Sequence, residues 1–146
     1  MYKHLLVATD GTEVAQAALA HGLDLAKAVG AKVTVVTVTM PWTAVAYGVY
    51  EGVTGRDVFD EASQKRAQTI LADATALAAS RGVPCSAVHK SDIEPYQSIL
   101  SVAQEAGCDL IVMGSHGRRG LERLLLGSEA VKVLTHSKVP VLIWRG

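Results

Sequence analysis

The stretch from Gly114 to Ser128, GSHGRRGLERLLLGS, holds four glycines, three arginines and two serines directly after the apolar run CDLIVM. Gly114 and Gly117 have no Cβ, so their backbone N–H groups can approach an anion closely and can take positive φ. Gly127 and Ser128 stand immediately before EAVKVLTHS, which reads as a helix. The first turn of a helix presents unpaired N–H groups and a partial positive charge, and Ser128 can donate a hydroxyl to a phosphate. Arg118 or Arg119 can add a full charge. The chemistry on offer is anion binding. A phosphate, another protein and a plain turn are the competing explanations.

Familiar phosphate loops do not account for the pattern. A Walker A loop ends in Gly-Lys-Ser/Thr, which is missing, and DGTEVA after the first apolar run has one glycine where a dinucleotide fingerprint needs three. The remaining reactive residues are less organised. His116 has no second catalytic group at a telling spacing and reads as an exposed loop histidine. Ser115 lacks a G-x-S-x-G elbow and an identifiable base. His4, His21, His89 and His136 are scattered without metal-ligand spacing. Cys85 and Cys108 form neither a CxxC pair nor a zinc pattern, and both read as buried, reduced thiols of a cytosolic protein. The sequence therefore assigns no catalytic residue and no metal site. Trp42, Tyr47, Tyr50 and Phe59 could form a lid or partner surface, although packing in a core or dimer is the simpler reading.

The elements that must position these residues alternate between β-rich and helical patterns. KHLLVAT (3–9) reads as a buried strand. TEVAQAALAHGLDLAKAVG (12–30) reads as a helix with Val14, Ala18, Leu25 and Val29 on one face and Gly30 as its stop. Asp10, jointly with Thr12, is placed to cap that helix. KVTVVTVT (32–39) is a second strand, followed by a loop at 40–56. A helix over about 57–81 turns Phe59, Ala62, Ile70, Ala74 and Leu77 inward. PCSAVHK (84–90) reads as a polar edge strand, and Pro95 opens a helix through Gln104 with Asp92 or Glu94 at its start. DLIVMG (109–114) is a strongly apolar strand, 120–136 reads as largely helical, and KVPVLIW (138–144) is a fifth strand.

Strands joined by long crossovers imply a parallel sheet with helices on both faces, so the expected architecture is one doubly wound α/β domain over 1–146. In a 3-2-1-4-5 order the ligand crevice lies at the carboxyl ends of strands 1 and 4, where TDGT (9–12) and the glycine stretch converge.

Composition bounds the rest. With 49% hydrophobic and 19% charged residues the chain is not a disordered or highly solvated one, and 146 residues suffice for a real core. Fourteen basic residues balance fourteen acidic ones, so no global field draws in nucleic acid or an anionic membrane, and RRGLER reads as a solvated face. Val33–Tyr50 reaches eighteen residues without a charge, the nominal length of a membrane span. Its Val/Thr alternation and Pro41 favour a strand and a loop instead. The N-terminus has too short an apolar core for a signal peptide, so a soluble cytoplasmic protein is expected.

HLLVATDGT, DLIVMGSHGRRG and GSEAVKVLTHSKVPVLIW together resemble the universal stress protein superfamily, from residue 3 to residue 145. Its ATP-binding branch has the pattern Gly-x2-Gly-x9-Gly-Ser/Thr, matched by Gly114, Gly117, Gly127 and Ser128. The resemblance implies the five-stranded fold and a cytoplasmic regulatory or stress-response module. Its ligand would be ATP, with ADP or AMP as alternatives and Mg or Mn as an optional companion. A slow ATPase, an autophosphorylating enzyme or a nucleotide-free interaction protein are the alternative roles. By family pattern Asp10 and Val38 lie at the adenine, Ala8 and Gly114 at the ribose, and Gly117, Arg118, Gly127 and Ser128 around the phosphates. Thr9, Met113, Ser115 and Glu129 adjoin them. Glu129 departs from the small or apolar residue usual after Gly-Ser, and a carboxylate there repels a triphosphate unless it points away or holds a cation.

The last strand suggests a partner. Val139–Trp144 is apolar throughout and lies at a sheet edge in the 3-2-1-4-5 order, where unpaired backbone groups invite another chain. Family members that this chain resembles commonly dimerise there, so a homodimer through this strand is expected.

Overall fold

The computed structural model describes residues 1–42, 53–116 and 125–146. The elements run β1 His4–Ala8, α1 Glu13–Val29, β2 Lys32–Thr39, α2 Val53–Ser80, β3 Cys85–Ser91, α3 Pro95–Ala106, β4 Leu110–Gly114, α4 Ser128–His136 and β5 Val141–Trp144. The five strands pair in parallel in the order β3-β2-β1-β4-β5. This is the α/β sheet that the alternating patterns predict.

Because successive side chains leave a strand on opposite faces, the central strands feed two cores. Leu5 and Val7 of β1 pack with α1 and α2, through Leu19, Leu23, Ala74 and Ala78. Leu6 faces the other way, with Ile99, Val102, Ala130 and Val133 of α3 and α4. β1 is buried on both faces, which explains its unbroken apolar run.

Helix faces differ from the sequence expectation. In α1 the buried stripe is Ala15, Ala18, Leu19, Gly22, Leu23 and Ala26, while Val29 is 37% exposed and Val14 and Leu25 only half-buried. The cause is close approach: a Cβ on Gly22 would lie 3.1 Å from Val7 Cγ2, so the helix rests on the sheet through its smallest side chains. α2 begins at Val53, four residues before the expected 57, and buries Ser63, Ala67, Ala74 and Ala78. Of the expected face Ala74 is buried, Phe59, Ile70 and Leu77 are half-buried, and Ala62 is exposed. Alanines set this face too, which hydrophobicity alone underweights.

Two further boundaries shift. Leu125–Gly127 is not helical, so α4 starts at Ser128 rather than near 120; residues 120–124 lie outside the described residues. β5 starts at Val141, not 138, because Ser137 Oγ donates to Val139 O and accepts from Val139 N, winding 137–139 into a turn. Cys108 is buried but Cys85 only half-buried; both are free. Burial raises both thiols, Cys108 to about 11. No described helix is long and apolar enough to cross a membrane.

Candidate functional site

β1 and β4 are neighbours, and the chain leaves them toward opposite sides of the sheet. Their carboxyl ends therefore border the crevice where doubly wound folds bind ligands. On the β1 side Thr9, 6% exposed, is fixed by its N–H donating to Val36 O at 3.0 Å. Asp10 Oδ1 accepts from Thr12 N at 3.0 Å and Thr12 Oγ1 at 2.6 Å, an Asx turn that sets the loop. Thr12 Oγ1 in turn accepts from Ala15 N, making Thr12 the N-cap of α1 while Asp10 braces it. Gly11 takes φ +80 in this turn, and its Cα faces Ile70 of α2, which an added Cβ would meet at 3.0 Å. The sequence reading missed this role of Gly11, although Asp-Gly is a turn signal.

On the β4 side Met113, Gly114 and Ser115 are buried. Gly114 permits close contact with α1: an added Cβ would meet Val14 Cγ1 at 2.9 Å. Its φ is not positive, so space, not backbone freedom, selects glycine there. Ser115 N donates to Trp144 O at 2.7 Å, tying the loop to β5, and Ser115 Oγ lies 3.0 Å from Nδ1 of its neighbour His116.

The chain then returns to its point of departure. Gly127 N donates to Ser115 O at 2.6 Å, and an added Cβ on Gly127 would lie 3.0 Å from both His116 Cα and Ser115 O. Gly127 is also the N-cap of α4, without a side-chain cap bond. This contact delivers the first turn of α4, with its unpaired N–H groups, to the end of β4. Ser128 is exposed there, and its hydroxyl makes no hydrogen bond among the described residues. Gly117 and Arg118 lie outside the described residues.

Glu129 turns the other way. Its Oε2 accepts from Tyr96 N at 2.9 Å, and its Oε1 lies 3.8 Å from Lys132 Nζ. α3 starts with Glu94 and Pro95 and has no side-chain cap of its own, so Glu129 supplies an acceptor from the neighbouring helix. Lys132 also pairs with Glu94 at 3.3 Å; this hydrogen bond, with the two carboxylates' charge, raises the Lys132 ammonium above its ordinary range. The sequence reading did not find this Glu94–Tyr96–Glu129–Lys132 cluster, because its members come together only when α3 and α4 pack. Val38 sits near the end of β2 on the α3/α4 face, and Ala8 ends β1 half-buried beside it in the same core. Trp42 and Phe59 pack ring on ring at 5.4 Å, whereas Tyr47 and Tyr50 lie outside the described residues.

A family model described as the Universal stress protein family matches residues 1–145. Universal stress protein YxiE of Bacillus subtilis is 34% identical over 152 residues, covering 99% of this chain and all of that protein. Among solved structures, one described as a structure-based assignment of the biochemical function of hypothetical protein MJ0577 superposes with a TM-score of 0.85 at 26% identity, covering 99% of this chain and 96% of the other. A universal stress protein in complex with cAMP superposes with a TM-score of 0.72 at 26% identity, covering 97% and 96%.

Proposed function

This chain belongs to the universal stress protein family, and on that premise we propose that it is an ATP-preferring adenine-nucleotide-binding module with its site in the crevice between β1 and β4. The supporting observation is the closure of Ser115 on Gly127, which brings a helix N-terminus and the exposed Ser128 to the end of β4. The similarity to a family member in complex with cAMP supports an adenine nucleotide as the ligand class.

In this reading Asp10 and Val38 lie at the adenine and Ala8 and Gly114 at the ribose. Gly117, Arg118, Gly127 and Ser128 surround the phosphates, with Thr9, Met113 and Ser115 adjoining the site. Glu129 contributes its backbone N–H on the first turn of α4, while its carboxylate is held at Tyr96 N and does not oppose the phosphates. A companion Mg or Mn ion would be held by the phosphates themselves, since the Glu129 carboxylate is already committed to α3 and Lys132. The second partner is another copy of the chain, added through β5.

Mass spectrometry of ligand released from freshly purified protein, followed by calorimetric titration with ATP, tests the reading. Recovered ATP supports simple binding, and recovered ADP or AMP indicates turnover. An empty protein that gives no heat with ATP overturns it.

A further inference from the structure

A cavity of about 340 Å³ opens at the carboxyl ends of β2 and β3, on the α1/α2 face of the sheet, away from Val38 and the proposed nucleotide crevice. Its two walls change character at the same level. The inward stripe of α2 is Ala67, Ala74 and Ala78 lower down, but Arg56, Asp60, Ser63 and Gln64 in its first turns line the cavity. The facing strands change likewise. Val33 and Val35 sit in the core, while Thr39, His89 and Ser91 line the cavity. Two apolar surfaces would have closed on each other. Two polar surfaces left a space.

The polar groups are placed but not used up. Ser63 is only 7% exposed, and the side chains of Ser63, Gln64 and Ser91 make no hydrogen bond among the described residues. These groups keep donors and acceptors available to whatever occupies the cavity. His89 Nε2 lies 2.8 Å from Thr39 Oγ1, and burial lowers the imidazole, which favours the neutral ring with one donor and one acceptor nitrogen. Arg56 and Asp60 pair at 3.8 Å and cancel in charge. Trp42 supplies a flat wall: its ring is seated on Gly55, where an added Cβ would meet Cη2 at 3.0 Å, and against Phe59.

We propose that this cavity is a second ligand site, for an uncharged, polyhydroxylated molecule of monosaccharide or polyol size. A rigid aromatic face, convergent hydroxyl, amide and imidazole groups, and no net charge suit such a ligand and offer an ionised one no counter-charge.

The test uses Trp42, one of two tryptophans, as the reporter in a Trp144→Phe protein. That protein is titrated with D-glucose, D-ribose, myo-inositol and glycerol, with benzoate and spermidine as ionic controls. Backbone amide shifts of Gln64, His89 and Ser91 are followed in the unsubstituted protein with the same probes. The expected result is saturable change with at least one neutral probe, at the same midpoint in both measurements, weakened about tenfold in Ser63→Val. The proposal is overturned if no neutral probe saturates these signals, or if benzoate or spermidine binds there more tightly than every neutral probe.

Discussion

At the scale of single residues, Ser128 and Glu129 are adjacent in the chain but differ in surroundings: Ser128 is exposed, and Glu129 is bonded to the start of α3. Ser128→Ala should weaken ATP binding by about 1–2 kcal/mol, the worth of a hydrogen bond to a charged group, with unchanged thermal stability. Calorimetry beside a melting curve checks both halves. Glu129→Val should do the reverse. It removes the acceptor at Tyr96 N and the partner of Lys132, so unfolding free energy should drop by about 0.5–2 kcal/mol in urea titration. ATP affinity should stay within twofold, and a marked gain in affinity would show that the carboxylate acts on the phosphates after all. The two buried-side histidines set a pH dependence. Burial, then the Lys32 charge, lowers His4, and burial lowers His89, so each binds its proton more weakly in the folded chain. The unfolded chain takes up those protons first as pH falls through 6.5, and stability present above that pH is lost below it. Melting temperature should therefore drop between pH 7 and pH 5.5, and less steeply in His4→Gln.

At the scale of elements, the five strands were legible because long apolar runs are local signals, whereas the last helix was read from about 120 and begins at Ser128. The buried faces of α1 and α2 were not legible. Gly22, Ala67 and Ala78 lie inward because the sheet is close, and closeness is a property of the assembled layers. In the candidate site the sequence marked Gly114, Gly127 and Asp10, but not the reason for them: Gly114 is fitted to Val14, and Gly127 to the backbone of Ser115 and His116. Gly127→Val consequently does more than block a ligand. Both atoms that a side chain would strike at 3.0 Å are backbone, so no rotamer change relieves it, and α4 must shift from β4. We expect a loss of about 1–3 kcal/mol in chemical denaturation along with loss of ATP binding. A variant as stable as the parent would mean that the loop yields more easily than its packing implies.

At the scale of the whole molecule, β5 ends the sheet among the described residues, with no strand on its outer side there, and all four of its residues are half-buried. Leu142 packs on the α1/α2 core, Val141 and Ile143 on the other, and Trp144 stacks on His21 of α1 at 4.8 Å. The strand is anchored on both faces and, among the described residues, has an uncovered edge, as strand addition by a second copy requires. Light scattering at micromolar concentration should give twice the 15.4 kDa chain mass. Leu142→Pro, which removes a donor in mid-strand, should return the protein to monomer. A parent protein of 15.4 kDa in solution would end the dimer proposal.

The hydrogen bond from Gly127 to Ser115 has a consequence for how such a chain can evolve and be engineered. Ser115 and Gly127 are twelve residues apart in the chain yet joined by one backbone hydrogen bond, so the fold closes on itself at these two residues. Doubling the length of a segment closed in this way costs only about 0.6 kcal/mol. Leu126 packs on the α3/α4 core and should be kept in any change of length between the two ends. Lengthening the chain between Ser115 and Gly127 should therefore leave the melting temperature of the domain nearly unchanged, as long as that hydrogen bond and Leu126 are retained.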